Sequence, residues 1–108
     1  MRTINNTQEF DQIIAQGNIV IVDFYAEWCG PCKALLPTLE SFSKDFEGRA
    51  EVIKVNVDDQ QELAARFGIR SIPSLVYFQN QKLVDKTVGV QTKAELEKRI
   101  IAMESSKN

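Results

Sequence analysis

The chain has 108 residues, of which 44% are hydrophobic and 26% are charged, and its formal net charge is -2. These values are ordinary for a globular protein, so they exclude a disordered or fibrous chain and predict a single domain over residues 1–108. The small acidic excess disfavours nucleic acid as a partner, and the lack of any histidine excludes Ser-His and Cys-His catalytic pairs.

The first half of the chain predicts alternating helices and strands. Residues 7–16 form an amphipathic helix that Gly17 ends. Residues 19–26 are an apolar, β-branched run typical of a strand covered on both faces. This run contains Asp23 and is too short to cross a bilayer, so we expect no membrane partner. A long helix follows over residues 32–46, where apolar residues recur at helical spacing.

The second half predicts a strand over residues 50–57, a helix over 60–67 and a strand over 75–79. A short polar break precedes a strand over 83–88, so the last two strands should be antiparallel neighbours. A closing helix over 92–104 has its apolar residues on one face. This order of elements predicts an α/β protein with a mixed sheet that helices cover on both faces.

Three of the predicted helices begin with a capping side chain followed three residues later by a glutamate. These pairs are Asn6 with Glu9, Asp59 with Glu62, and Thr92 with Glu95. We therefore expect Asn6, Asp59 and Thr92 to be the N-caps of their helices.

The sequence Trp28-Cys29-Gly30-Pro31-Cys32 lies where the apolar strand ends and the long helix begins. Cysteines at this spacing on a first helical turn can form a disulfide with little backbone movement. A disulfide that closes so short a loop stabilises a fold only slightly, and structural zinc needs more Cys or His ligands than this chain contains. The pattern therefore favours a redox pair over a structural staple, a shared metal site or inert thiols.

The position of the two cysteines predicts different roles for them. Cys29 lies where free backbone N–H groups and the helix dipole stabilise a thiolate, so we expect it to be the nucleophile. Cys32 is one turn deeper, and it should remain protonated and resolve the mixed disulfide that Cys29 forms with a client. We therefore expect the nucleophile Cys29 to be more exposed to solvent than the resolving Cys32. Pro31 suits the first helical turn and limits rearrangement of the loop, so we expect it to tune the pair.

The segments VDFYAEWCGPCK and KVNVD, the Ile72-Pro73 pair and Gly89 occur in the order typical of the thioredoxin family, which this chain resembles over nearly its whole length. The resemblance implies a three-layer α/β/α sandwich with a central mixed, predominantly parallel five-stranded sheet flanked by four helices. It also implies a protein-disulfide reductase that binds no cofactor and no metal and uses a redox-active Cys29-Cys32 disulfide. Gly30-Pro31 is the combination associated with reductants in this family.

The same resemblance implies the partners. Disulfide-containing client proteins would be reduced, and thioredoxin reductase would restore the dithiol with electrons from NADPH. We expect the protein to act as a monomer. The first residues lack the apolar stretch of a secretory signal, so we expect a cytoplasmic location.

Asp23 is the lone carboxylate of the predicted central strand. Burial should raise its pKa, so that it can accept or return a proton near neutral pH; the alternative is a partly solvated residue at the strand end. The resemblance implies that the Lys54 ammonium approaches Asp23 and tunes it. From the residues alone, Lys54 is more simply interpreted as a surface lysine.

The Ile72-Pro73 pair could simply begin a strand. The resemblance implies instead a cis proline that faces the dithiol, preceded by a backbone that pairs with an extended client. Trp28 would join an apolar rim there, although a core aromatic is the alternative interpretation of this residue. The expected client-binding residues around the nucleophile are Trp28, Ile72, Pro73, Gly89 and Val90.

Three positions depart from common members of the family: Tyr25 where tryptophan is frequent, Ser71 where glycine is frequent, and Gln81 where Asn-Gly often forms the hairpin. Ser71 borders the proposed client loop. Gln81 leaves the turn type open because it tolerates a positive φ poorly. Two other functions stay open on the sequence: a scaffold that binds partners through the same rim without redox chemistry, and an oxidase or isomerase.

Overall fold

Helices and strands alternate along residues 1–106, the part of the chain that the computed structural model describes. The strands in this range are β1 (Arg2–Thr3), β2 (Val20–Tyr25), β3 (Glu51–Asn56), β4 (Ser74–Gln79) and β5 (Lys82–Val88). The helices in this range are α1 (Thr7–Ala15), α2 (Gly30–Asp45), α3 (Gln61–Arg66) and α4 (Lys93–Ser105). Every element predicted from the residue pattern is present, with ends displaced by at most two residues.

The described strands form one sheet in the order β1-β3-β2-β4-β5. The strand β3 pairs in parallel with β1 and β2, whereas β4 pairs antiparallel with β2 and β5. Four of these strands therefore run in one direction and β4 runs against them. The sheet is mixed, as the hairpin predicted, and its pairings are divided equally between parallel and antiparallel.

One face of the sheet is covered by α2 and α4. Ile21 of β2 and Tyr77 of β4 lie in a buried cluster with Leu39 and Phe42 of α2 and Ile100 of α4. All five side chains are fully buried. Because side chains alternate along a strand, Asp23 lies on this same face, two residues beyond Ile21.

The other face is covered by the two shorter helices. Val22 and Phe24 of β2 pack there with Phe10 of α1 and Leu63 of α3. The Phe67 ring contacts this cluster at 5.6 Å from the Phe10 ring centroid. Helices thus cover both faces of β2, which explains why its sequence is apolar without alternation. No helix within residues 1–106 is long and apolar enough to cross a membrane.

Two of the three predicted caps are confirmed. Thr92 accepts a hydrogen bond from the Glu95 backbone N–H and donates its own backbone N–H to the Glu95 carboxylate, which completes a capping box. The Asn6 side chain accepts the backbone N–H of Glu9 at 2.8 Å.

The prediction for Asp59 is wrong. The N-cap of α3 is Gln60, and it makes no capping hydrogen bond through its side chain. The Asn56 side chain at the end of β3 accepts the backbone N–H groups of Asp58 and Asp59 at 2.8 and 3.4 Å. This turn places Asp59 ahead of the helix, so α3 begins one residue later than an Asp59 cap would require.

The turn between β4 and β5 has two adjacent residues with positive φ, Asn80 at 53° and Gln81 at 70°. This is the type I′ turn that suits a two-residue hairpin, here without a glycine. The Gln81 side chain donates to the Ala15 carbonyl at 2.7 Å, and the Asn80 backbone N–H donates to the Gly17 carbonyl at 3.1 Å. These bonds to the end of α1 offset the cost of the unusual backbone.

The stability of α2 should depend strongly on Leu39, one of its two buried leucines. Leu39→Ala should lower the free energy of unfolding by about 2–5 kcal/mol, because Leu39 is fully buried in the core. Leu36→Ala removes the same atoms from a half-buried position on the same helix and should cost less. Urea unfolding of the oxidised proteins measures both values. Equal costs would contradict the assignment of Leu39 to the core.

Candidate active site

The cysteine pair lies at the junction of β2 and α2. Cys29 is the N-cap of α2, and its backbone N–H donates to the Ala26 carbonyl at 3.2 Å in the connecting turn. The Cys29 Sγ accepts the backbone N–H of Cys32 at 3.2 Å. The exposed Pro31 occupies the first turn of the helix, where its missing N–H leaves no hydrogen bond unmade. The sulfur of Cys29 therefore sits at the positive end of the α2 dipole.

Cys29 and Cys32 form a disulfide, with Cα atoms 5.3 Å apart. Their exposed fractions are 4% and 2%, so the predicted contrast in exposure between the two cysteines is almost absent. Ala26 packs against both, together with the half-buried Val57 and Ile72. Val57 and Ile72 belong to segments distant in sequence from Cys29, which is why its position at a helix start did not reveal its burial.

The two sulfurs differ in what they face. Cys29 Sγ lies 3.8 Å from the backbone carbonyl oxygen of Ile72. Cys32 instead lines an open cleft of about 470 Å³, together with Tyr25, Lys54 and Lys33. One sulfur thus borders the loop before β4, whereas the other cysteine borders a separate depression beside α2.

The Ile72-Pro73 peptide bond is cis, as the family resemblance implied. Pro73 is buried, and its carbonyl oxygen accepts the Gly89 backbone N–H at 2.8 Å. Gly89 has a φ of +93°, and a Cβ at this position would meet no atom within 4 Å. The backbone conformation, rather than close packing within the chain, therefore requires glycine here. The neighbouring Val90 is 50% exposed.

Trp28 is 71% exposed, so the interpretation of this residue as a core aromatic is wrong. Its indole Nε1 donates a hydrogen bond to Asp58 Oδ2 at 2.9 Å. Asp58 was not among the predicted site residues. It ends the KVNVD segment, but nothing in that spacing shows that its carboxylate reaches a tryptophan thirty positions earlier.

Asp23 is completely buried, which excludes the alternative of a partly solvated carboxylate. Neither of its carboxylate oxygens has a hydrogen-bond partner among residues 1–106. Burial raises the pKa of Asp23 from 3.8 to about 7, and the positive charge of Lys54 opposes this shift. A group with this pKa can exchange a proton at neutral pH.

Lys54 lies directly across from Asp23 in the parallel pairing of β2 with β3. Its ammonium nitrogen is 5.2 Å from the centroid of the Tyr25 ring. A cation over a ring face is attracted by the π electrons, so Tyr25 holds the Lys54 ammonium beside the cleft. Cys32 lines the same cleft. Lys54 thus acts on Asp23 through space, without a direct hydrogen bond.

A redox-active cysteine pair at the start of a helix that follows the central strand of a mixed sheet defines a dithiol–disulfide oxidoreductase. Residues 2–102 match the family model described as Thioredoxin. Within residues 1–106, no group of three or more His, Cys, Asp or Glu side chains is placed to hold a metal ion.

Curated relatives agree with the family model. A thioredoxin of Staphylococcus aureus is 43% identical over 88 residues, which cover 82% of this chain and 84% of that protein. A thioredoxin of Staphylococcus haemolyticus is 45% identical over 87 residues, which cover 81% of this chain and 83% of that protein. The chain belongs to the thioredoxin family. Membership implies disulfide-containing clients and a reductase in general.

Solved structures agree as well. The thioredoxin of Plasmodium falciparum has a TM-score of 0.86 and 37% identity, and the match covers 94% of this chain and 98% of that one. Mitochondrial thioredoxin 3 of Saccharomyces cerevisiae, in its oxidized form, has a TM-score of 0.86 and 29% identity, with 94% of each chain covered. The fold is the thioredoxin fold.

Burial of Asp23 should make the oxidised protein less stable as the pH rises from about 4 to about 7. The pKa of Asp23 in the folded chain, about 7, lies above the ordinary 3.8. The folded state therefore binds more protons than the unfolded state in this window, and stability falls until the carboxyl group is ionised. About 1.4 kcal/mol for each of roughly three pH units gives a loss of about 4 kcal/mol.

Comparison of the wild type with Asp23→Asn separates the loss of stability that Asp23 causes from the effects of the other carboxylates. The variant should lack this loss and be more stable than the wild type at pH 8, while the two should converge near pH 4. The control Asp59→Asn removes an exposed carboxylate and should follow the wild type. Urea unfolding across the pH range gives all three curves. Parallel curves for the wild type and Asp23→Asn would rule out a raised pKa at Asp23.

Proposed function

We propose that this oxidoreductase reduces disulfides of client proteins, with Cys29 as the attacking thiol and Cys32 as the resolving thiol. The Cys29 thiolate attacks one sulfur of the client disulfide, a mixed disulfide forms, and the second client sulfur leaves as a thiolate that takes up a proton. Cys32 then loses its proton and attacks the Cys29 sulfur, which releases the other client sulfur as a thiolate that also takes up a proton. The client gains two electrons and two protons, and the Cys29-Cys32 disulfide remains.

The observation that carries this assignment is the hydrogen bond from the Cys32 backbone N–H to the Cys29 sulfur at 3.2 Å. A negatively charged sulfur accepts such a bond more strongly than a neutral one, and it gains further from the helix dipole. Both effects favour the thiolate at Cys29, the N-cap residue of α2.

Asp23 takes the proton that Cys32 releases in the second step. The raised pKa of Asp23, about 7, lets it hold a proton before client release and give it up afterwards. Lys54 tunes this group, because its charge favours the ionised carboxylate and so opposes the effect of burial. In the opposite direction, a protonated Asp23 returns the proton when the pair is reduced again.

Clients bind as extended chain across the loops around Cys29. The Ile72 carbonyl beside the sulfur is a backbone acceptor for an incoming strand, and Pro73 follows it directly in the loop before β4. Gly89 leaves open space next to Pro73, where a client backbone can approach. The exposed Trp28 and Val90 give the apolar contacts that flank the site.

The remaining steps follow family membership. Thioredoxin reductase restores the dithiol with electrons from NADPH, and Gly30-Pro31 keeps the pair reducing. A reductant of this kind works in a compartment that keeps thiols reduced, which supports a cytoplasmic location. The chain acts as a monomer, and residues 1–108 form a single domain.

Cysteine variants test the assignment of roles. Cys29→Ser should abolish NADPH-dependent reduction of insulin by the protein and a thioredoxin reductase, because no thiolate attacks the client. Cys32→Ser should accumulate mixed disulfides through Cys29, because the resolving thiol is missing. Non-reducing electrophoresis and mass spectrometry of the linked peptides identify the sulfur involved.

The variant with both Cys29→Ser and Cys32→Ser is the matched control and should form no mixed disulfide. Stable adducts through Cys32 in Cys29→Ser, together with none in Cys32→Ser, would reverse the proposed roles. Equilibration of the wild type with glutathione buffers separates a reductant from an oxidase or isomerase. A reductant should stay largely in the disulfide form until the buffer is strongly reducing.

A further inference from the structure

Lys54 has two neighbours on β2 that could hold its ammonium group. Asp23 lies directly across from it in the pairing of β2 with β3, and Tyr25 follows two residues later on the same face of the sheet. The ammonium nitrogen is 5.2 Å from the centroid of the Tyr25 ring. Among residues 1–106, neither oxygen of the Asp23 carboxyl has a hydrogen-bond partner. The lysine therefore lies over the ring instead of bonding to the acid.

The position of the ring favours this arrangement. Tyr25 and Lys54 are both half-buried, and both line the open cleft beside α2. The face of an aromatic ring attracts a cation, and the attraction grows where water is partly excluded. A protonated Asp23 has no charge that could draw the ammonium away from the ring. The ring thus holds the lysine while Asp23 carries a proton.

The other charges near Asp23 are weaker or further away. Glu27 and Lys33 line the same cleft but are exposed, so water and salt screen them. From β4, the residue in register with Asp23 is the apolar Leu75. The helix α4 contributes apolar side chains to the core on this face. The charge that acts on Asp23 is that of Lys54, and its effect depends on how closely the ammonium approaches.

We propose that Tyr25 is a positioning residue that keeps the Lys54 ammonium over its ring, so that Lys54 does not close an ion pair with Asp23. Without the ring, the long lysine stem can carry its charge to the carboxyl directly across from it. A direct ion pair would lower the pKa of Asp23 and leave it ionised at neutral pH. Such a carboxylate would have no proton to return when the disulfide is reduced again. This consequence rests on the proposed proton exchange between Asp23 and Cys32.

Titration of Asp23 in the oxidised protein tests the inference, because the disulfide leaves no thiol that ionises beside it. NMR of the isotope-labelled Asp23 carboxyl carbon gives the pKa in each variant. Tyr25→Leu removes the ring and should lower the pKa of Asp23 by about one unit, because Lys54 then approaches the carboxyl. Tyr25→Phe keeps the ring face and is the matched control, so its titration should follow that of the wild type.

Urea unfolding gives a second measurement of the same shift. The loss of stability that Asp23 causes with rising pH ends near its pKa in the folded chain, so in Tyr25→Leu it should end about one pH unit earlier. Thermal unfolding shows whether each variant is folded. Tyr25→Met also lacks a ring and has a flexible side chain that fills the space, so it replaces Tyr25→Leu should that variant fail to fold.

Removal of the lysine charge shows whether the ring acts through Lys54. Lys54→Met should raise the pKa of Asp23, because the charge that opposes the effect of burial is lost. In the variant that combines Lys54→Met with Tyr25→Leu, the pKa should equal that of Lys54→Met alone.

An unchanged or raised pKa of Asp23 in Tyr25→Leu would overturn the inference, since the ring would then not keep Lys54 from the carboxyl. A fall in the pKa that persists without Lys54 would overturn it too, because the ring would then act directly on Asp23. Neither result bears on the roles of the cysteines. Insulin reduction that survives Cys29→Ser would instead refute the proposed function, whatever the pKa of Asp23.

Discussion

The junction between β2 and α2 is the constraint on which the site depends. Helices cover both faces of β2, so its end is fixed in the middle of the sheet. The helix begins immediately after the turn that follows, with Cys29 as its N-cap and the Cys32 backbone N–H directed at the Cys29 sulfur. A rigid strand and a rigid helix thus determine where the sulfur lies and which dipole acts on it. The loops that contain Ile72 and Gly89 then approach a Cys29 sulfur whose position β2 and α2 have already fixed.

Asp23 shows the cost of placing an ionisable side chain inside this framework. A buried carboxylate without a hydrogen-bond partner destabilises the fold whenever it is ionised, and a neutral residue of similar size would remove that cost. The surrounding core, which includes fully buried aromatic and aliphatic side chains on both faces of β2, makes the penalty tolerable. Lys54 moderates the penalty from the neighbouring strand, and Tyr25 keeps the lysine charge beside the cleft. Stability and proton exchange are therefore opposed at this residue.

Local patterns in the sequence predicted most of the fold. Periodicity identified the helices and the longer strands, whereas β1 is too short to show any period. The Asp59 cap failed because Asn56 accepts the backbone N–H groups of Asp58 and Asp59 in a turn that places Asp59 ahead of the helix, and this turn depends on where β3 ends. For the site, the spacing of the cysteines predicted the redox pair, and the resemblance to a family predicted the cis proline. The burial of Cys29 and the contact from Trp28 to Asp58 could not be predicted, because both arise where distant loops meet.

The hairpin between β4 and β5 has a practical consequence. Tips of hairpins are usual positions for inserted tags or for new chain ends, since their backbone is exposed and makes few bonds. Here both tip residues are bonded to the end of α1, by the Gln81 side chain and the Asn80 backbone N–H. An insertion between them would separate the hairpin from that helix and remove the bonds that support two left-handed residues. Protein engineers who need a permissive position in this chain should choose another loop.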